Sequence, residues 1–401
     1  MQYDQYQTVF ALSSLANWIG GRTGTAQTLQ ADYQQMLLAT LASPAAQAAI
    51  GSWELVWGPQ VWQGEDSELA DNALYVAKAS GVPGIEGDVY VVAICATNPS
   101  SLYDWLVEDF DVASVVNFTR YDPLRKAPPS SSMPWFSANI PYISMGTALG
   151  VWHLLQMVSP AAAKAPGTGL CDFLQAAASA DATVIFAGHS LGGALSPTAA
   201  FWLKNAGKLD GYKAVYCYPT AGATPGNAAF AQAYAAALPS PPGASGYRTW
   251  NRDLWNTRDV VPHAWDMGML SQIKTQLYGN APITDIDLAV DVAIANAWAS
   301  GIAYRQIANQ PLPGTVNGDA PNDLSTFLSQ VKFQHTEAYE ALIANWLEPV
   351  VPSSHALQTA ARDTQADALV ARLQGEREAR AARAAEARAA LAAGGSAAPA
   401  A

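Results

Sequence analysis

An α/β protein with a mostly parallel central sheet is what this sequence predicts, and three observations carry the prediction. Strand-like and helix-like segments alternate along the middle of the chain, the pattern of a parallel sheet joined by crossover helices. The strand-like runs, such as Val89 to Cys95, are almost unbrokenly apolar, as in strands covered on both faces. A Gly-x-Ser-x-Gly stretch falls between a strand and a helix, a tight reversal that belongs to such sheets.

Taken in order, residues 7–19 and 27–42 read as amphipathic helices. In the second, Leu29, Tyr33, Met36, Leu37 and Leu41 recur on one helical face. Gly20-Gly21 and Pro44 punctuate their ends. After the Val89 strand, Val112 to Phe118 is a weaker strand candidate, and residues 122–145 form a Pro- and Ser-rich loop carrying Met133, Trp135, Phe136 and Ile140. Helices follow over 147–158 and near 169–180, then a strand from Thr183 to Ala187. Leu191 to Ala206 reads as a helix ending at Gly207, with Pro197 inside it at the expense of a backbone hydrogen bond. Ala214 to Tyr218 is a further apolar strand. Two units result: a globular domain over 1–356, and an Ala-, Arg- and Glu-rich helical tail over 357–401 with a disordered Gly394-Gly395-Ser396 end.

The chain has 401 residues, half of them hydrophobic, which suits a large core. Only 13% are charged, against roughly 25% in a typical soluble protein. The net charge of −12 argues against nucleic acid or an anionic membrane as an electrostatic partner. Cys95, Cys171 and Cys217 cannot close a disulfide framework, and their spacing fits no metal motif. Met1 to Trp18 lacks a basic leader region, so no signal peptide is expected, leaving the cytoplasm by default or a leaderless export route. The apolar stretch Ile286 to Trp298 falls short of the ~20 residues that a membrane span needs.

The chemistry concentrates at Gly188-His189-Ser190-Leu191-Gly192-Gly193. Only small residues fit two positions either side of a serine in so sharp a turn. Its hydroxyl is then presented at a helix N-terminus, where backbone N–H groups favour developing negative charge. Serine needs a base, and the base an orienting acid; on such sheets the chain order is serine, acid, histidine. Asp259 follows a candidate strand, and His335 lies beyond it, expected on a loop before an apolar helix. His263, four residues after Asp259, is the serious rival base, and Asp253 and Asp266 are rival acids. His189 should point away from the serine's hydroxyl, His153 serves packing or surface, and His355 opens the tail.

Gly188 to Leu195, together with Asn256-Thr-Arg-Asp259-Val-Val-Pro262 and His335, resembles the class 3, fungal-type lipases and their bacterial members. Ala221 to Asn227 followed by Phe230 is similar to the family's segment between serine and aspartate, and Val89 to Asp109 to its strand and oxyanion segment. Trp53 to Pro59, Asn72 to Ala77 and Ile143 to Gly146 look like flanking segments, so the likeness spans roughly 50–350. It implies an α/β-hydrolase fold and a serine ester hydrolase without cofactor or metal. The expected catalytic residues are Ser190, Asp259 and His335, and the substrate is a lipid ester, acylglycerols first, at an oil–water interface. A phospholipase A1-type enzyme, a short-chain carboxylesterase and a non-catalytic binding protein are the alternatives. The amides of Thr97 and Leu191 would line the oxyanion hole. The family's usual Arg-Gly-Thr is Cys95-Ala96-Thr97 here. Residues 127–145 and the helix over 285–300, with Thr284 as its N-cap, have the apolar content of lids.

Overall fold

The computed structural model describes residues 2–65, 67–95, 112–129, 138–243, 245–345 and 347–351. Helices α1 (Gln5–Ala16), α2 (Ala26–Ala42) and α3 (Pro44–Ile50) come first. Strands β1 (Glu54–Trp62), β2 (Asn72–Ser80) and β3 (Asp88–Ile94) follow, the first two falling on the segments marked by the lipase resemblance. Next come β4 (Val115–Asn117), β5 (Tyr142–Ser144), α4 (Met145–Gln156), α5 (Leu170–Ala177), β6 (Thr183–His189), α6 (Leu191–Asn205), β7 (Ala214–Thr220) and α7 (Ala228–Ala237). The described chain closes with β8 (Asp253–Asn256), α8 (Met267–Gln272), α9 (Thr284–Ala299), β9 (Asn309–Leu312), α10 (Leu324–His335), a short helix Glu337–Tyr339 and a wider turn Glu340–Ala344.

Among the described residues the main sheet has seven strands in the order β1-β2-β3-β6-β7-β8-β9. The β1–β2 and β2–β3 pairs are antiparallel, and every later pair is parallel. The apolar runs are explained by what covers each face. Along β3, Val89, Val91 and Ala93 join one core cluster with α1 and α2, while Tyr90, Val92 and Ile94 join a second with α4, α5 and α6. Strand β6 divides the same way, Ile185 and Ala187 to the first cluster and Val184 and Phe186 to the second. With both faces apolar, alternation disappears from the sequence while the period-2 geometry persists.

A third cluster is built by the insertion between β8 and β9 together with α10, which follows β9. It packs α8, α9 and α10 against Val260, Val261, Val112 and Val115. This insertion leaves the sheet at the C-terminal end of β8, the end at which β6 delivers Ser190, where open α/β sheets hold their ligands.

Several expectations change. Pro44 does more than end a helix: it opens α3 at its first turn, after the Ser43 cap. Val112 to Phe118 supplies β4, but among the described residues β4 pairs with β5 in a separate two-stranded sheet. His335 is the last residue of α10, not a loop residue. Thr284 is the first residue of α9; Ile283 holds the cap position without a side-chain bond. The 16-residue α9 packs inward through Ile286, Ala289, Val290, Ala293 and Ala297. Of the 127–145 segment, residues 130–137 with Met133, Trp135 and Phe136 lie outside the described residues, as does the 357–401 tail. All three cysteines are buried, and none is in a disulfide with another described residue. No described helix is long and apolar enough to cross a membrane.

Candidate active site

Ser190 sits between β6 and α6 with φ 60° and ψ −121°. A positive φ in a residue with a Cβ is strained and persists only where the surroundings impose it. Here the Ser190 amide donates to the Thr220 carbonyl at 3.0 Å, tying the turn to β7. The flanking glycines are required by contact. A Cβ on Gly188 would stand 2.2 Å from the Gly192 carbonyl oxygen, and one on Gly192 2.5 Å from that of Ile94. Within α6, Ala194 is the residue whose amide donates back to the Ser190 carbonyl, at 3.2 Å. The amides of Leu191, Gly192 and Gly193 therefore have no acceptor inside the helix. They point where an anion would be favoured. Thr97, the other expected oxyanion donor, lies outside the described residues.

Asp259 and His335 meet across 76 residues of chain. His335 Nδ1 donates to Asp259 Oδ2 at 2.8 Å, and both side chains are buried. A carboxylate can only accept, so the proton belongs on Nδ1, and neutral His335 carries its lone pair on Nε2. Among the described residues Nε2 has no hydrogen-bond partner. Asp259 is held from two more sides: Oδ1 accepts from the Val261 amide at 3.0 Å and Oδ2 from the Tyr339 hydroxyl at 2.8 Å. The same Tyr339 oxygen accepts from the Asn256 amide at 2.9 Å. Burial pushes the Tyr339 hydroxyl well above its usual range, so it stays a donor.

Comparison with known proteins adds to this geometry. Residues 162–268, which include the serine turn and Asp259, match the family model described as lipase (class 3). The crystal structure of M37 lipase superposes with a TM-score of 0.67 at 26% identity, covering 87% of this chain and 94% of that one. The likeness to class 3 lipases thus lies in the segment that carries the serine turn and Asp259. The chain's mostly parallel sheet flanked by helices is the α/β-hydrolase fold. Lipase II from Rhizopus niveus (14% identity, 66% of this chain and 76% of that one) and nonglycosylated Yarrowia lipolytica lipase (17%, 65% and 76%) are more distant, both with a TM-score of 0.40. No curated protein matches.

Around this site the rival residues have other partners. His263 Nδ1 bonds the backbone carbonyl of Asp259 at 2.7 Å, not its carboxylate. Burial lowers its basicity, and its ring stands edge-on to Trp255. His153 stacks on Trp62 with centroids 3.6 Å apart. Asp266 caps α8 and pairs with Arg305 at 3.2 Å. Asp253 is buried on the Gly222 amide at 3.0 Å, and burial raises its carboxyl well above the ordinary range. His355 lies outside the described residues. Among the described residues no three His, Cys, Asp or Glu side chains converge as a metal site.

Sequence reasoning assigned no role to Tyr339, Asn256 or Gln334. The Asn256 side-chain amide donates to both the carbonyl and the side-chain oxygen of Gln334, at 2.9 and 2.8 Å, lashing the β8 end to the turn of chain before His335. Tyr339 offered one signal: it follows His335 by four residues, about one helical turn.

Proposed function

We propose that the chain is a serine carboxylic ester hydrolase acting on acylglycerols. Ser190 is the nucleophile, His335 the general base and acid, and Asp259 the group that orients it. The observation that carries this reading is the buried 2.8 Å bond from His335 to Asp259, on a residue whose backbone carbonyl lies 2.7 Å from His189 Nε2, the neighbour of the strained Ser190 at the head of a helix. In the first step Ser190 Oγ attacks the ester carbonyl carbon as His335 Nε2 takes its proton. Asp259 holds the tautomer and stabilises the imidazolium. The amides of Leu191 and Thr97 receive the tetrahedral oxyanion. The imidazolium then protonates the departing alcohol. Water repeats the sequence on the acyl-enzyme and releases the fatty acid.

A fluorophosphonate probe followed by peptide mapping tests the nucleophile: label is expected on Ser190 and lost in His335→Ala. Label on another residue overturns the assignment. A series of esters from short monomeric to long emulsified chains then sorts an acylglycerol lipase from a short-chain esterase, and a diacyl phospholipid substrate sorts it from a phospholipase A1-type enzyme.

A further inference from the structure

Both ring nitrogens of His189, next to the serine, are engaged, and neither by a side chain of the proposed triad. Its Nε2 lies 2.7 Å from the backbone carbonyl of His335, and its Nδ1 lies 2.9 Å from the Thr220 hydroxyl. A carbonyl oxygen can only accept, so the His189 proton sits on Nε2. Nδ1 is then the acceptor, and the Thr220 hydroxyl donates to it. The competing acceptor for that hydroxyl, the Gly188 carbonyl, is 3.5 Å away, too far to compete with 2.9 Å. The rings of His189 and His335 are 4.8 Å apart, and Tyr339 stands edge-on to His189 at 5.0 Å. Burial pushes the His189 imidazole down to about 3, so it remains uncharged beside a ring that the proposed mechanism charges.

We propose that His189 is a positioning residue that, set by Thr220, holds the backbone carbonyl of His335. The proposal rests on the reading of His335 as the base. Asp259 fixes the His335 ring at Nδ1, but one bond leaves the ring free to swing about it. The second anchor, on the main chain of the same residue, comes from the strand that delivers Ser190. Nucleophile and base are thereby tied to one another through a neighbour of the serine, so their separation does not depend on the long chain between them. A neutral anchor adds no positive charge to oppose the imidazolium.

The wild-type protein supplies the first test. Nitrogen-15 NMR of the imidazoles is expected to show His189 neutral, protonated at Nε2, and unchanged from pH 8 to pH 5. A proton on Nδ1, or titration in that window, overturns the proposal. Kinetics supply the second, on a soluble ester with folding checked by thermal unfolding. His189→Ala is expected to lower kcat by roughly 10–100-fold with little change in KM, the scale of a misplaced catalytic group. His189→Gln, whose side-chain amide again offers a donor to the carbonyl, should recover most of that loss, whereas His189→Phe should not. Thr220→Val should cost a smaller factor than His189→Ala, and Thr220→Ser almost nothing. Equal rates for the Gln and Phe variants, or undiminished kcat in His189→Ala, would mean packing alone. If His335→Ala retains activity, it is the base assignment that fails; if only the His189 series is silent, that assignment stands and the anchor falls.

Discussion

The serine side of the site, from β6 into the first turn of α6, is shaped by backbone against backbone, whereas the histidine–aspartate side, from β8 to Tyr339, is shaped by side-chain hydrogen bonds. On the first side the crowding atoms are the main-chain oxygens of Gly192 and Ile94. On the second, Asp259, Tyr339, Asn256 and Gln334 form a buried polar network in which each named bond lies between 2.8 and 3.0 Å. Steric exclusion acts over a few residues and needs glycine. A polar network joins residues about 80 apart and needs specific donors and acceptors. The two sides should therefore fail differently, one by losing its shape and the other by losing satisfied polar groups.

The largest expected effect is catalytic and touches both sides at once. Ser190→Ala or His335→Ala should each lower kcat by roughly 10⁶-fold, and the double variant by little more, because the groups act as a unit. His263→Ala should cost far less; the reverse order between His263 and His335 would move the base to His263. Next comes a shape test of the serine side. Gly192→Ala places a methyl 2.5 Å from the Ile94 oxygen and is expected to destabilise by about 3 kcal/mol, the upper end for overpacking, since backbone cannot step aside. An unchanged denaturation midpoint would show that α6 can shift away from β3.

A smaller loss tests the polar side. Tyr339→Phe leaves the Asn256 amide without its acceptor and takes one of Asp259's donors. It should destabilise by roughly 1–3 kcal/mol and lower kcat while leaving KM nearly unchanged. A variant as stable and as fast as the parent would show that Tyr339 merely fills space. The smallest effect concerns neither side directly. The outer face of α9 carries Leu288, 44% exposed, and Trp298, 73% exposed, and its Asp291 is paired with Lys274 at 2.6 Å. Trp rings favour lipid interfaces, so Trp298→Ser should spare soluble esters and slow only emulsified ones. Equal rates on emulsions would remove α9 from any interfacial role.

What could be read from the amino acids was local. The elbow was legible because Gly188, Ser190, Gly192 and the strand and helix around them are contiguous, and steric needs over five residues leave a direct imprint on sequence. Strands β3, β6 and β7 were legible because burial on both faces leaves an unbroken apolar run. The end of α6 was legible through Gly207, which takes a positive φ of 69°. Strands β1 and β2 showed only through the lipase resemblance, and β4 left the main sheet altogether, because pairing partners are chosen by tertiary contact. The helical setting of His335 was missed for the same reason: α10 packs into a cluster drawn from across the chain. The anchors of the site, Tyr339 on Asp259, Asn256 on Gln334 and His189 on the His335 carbonyl, join residues 78 to 146 positions apart. A hydrogen bond over that separation depends on where folding puts two backbones, so it leaves no spacing to read, and only the tertiary structure decided it.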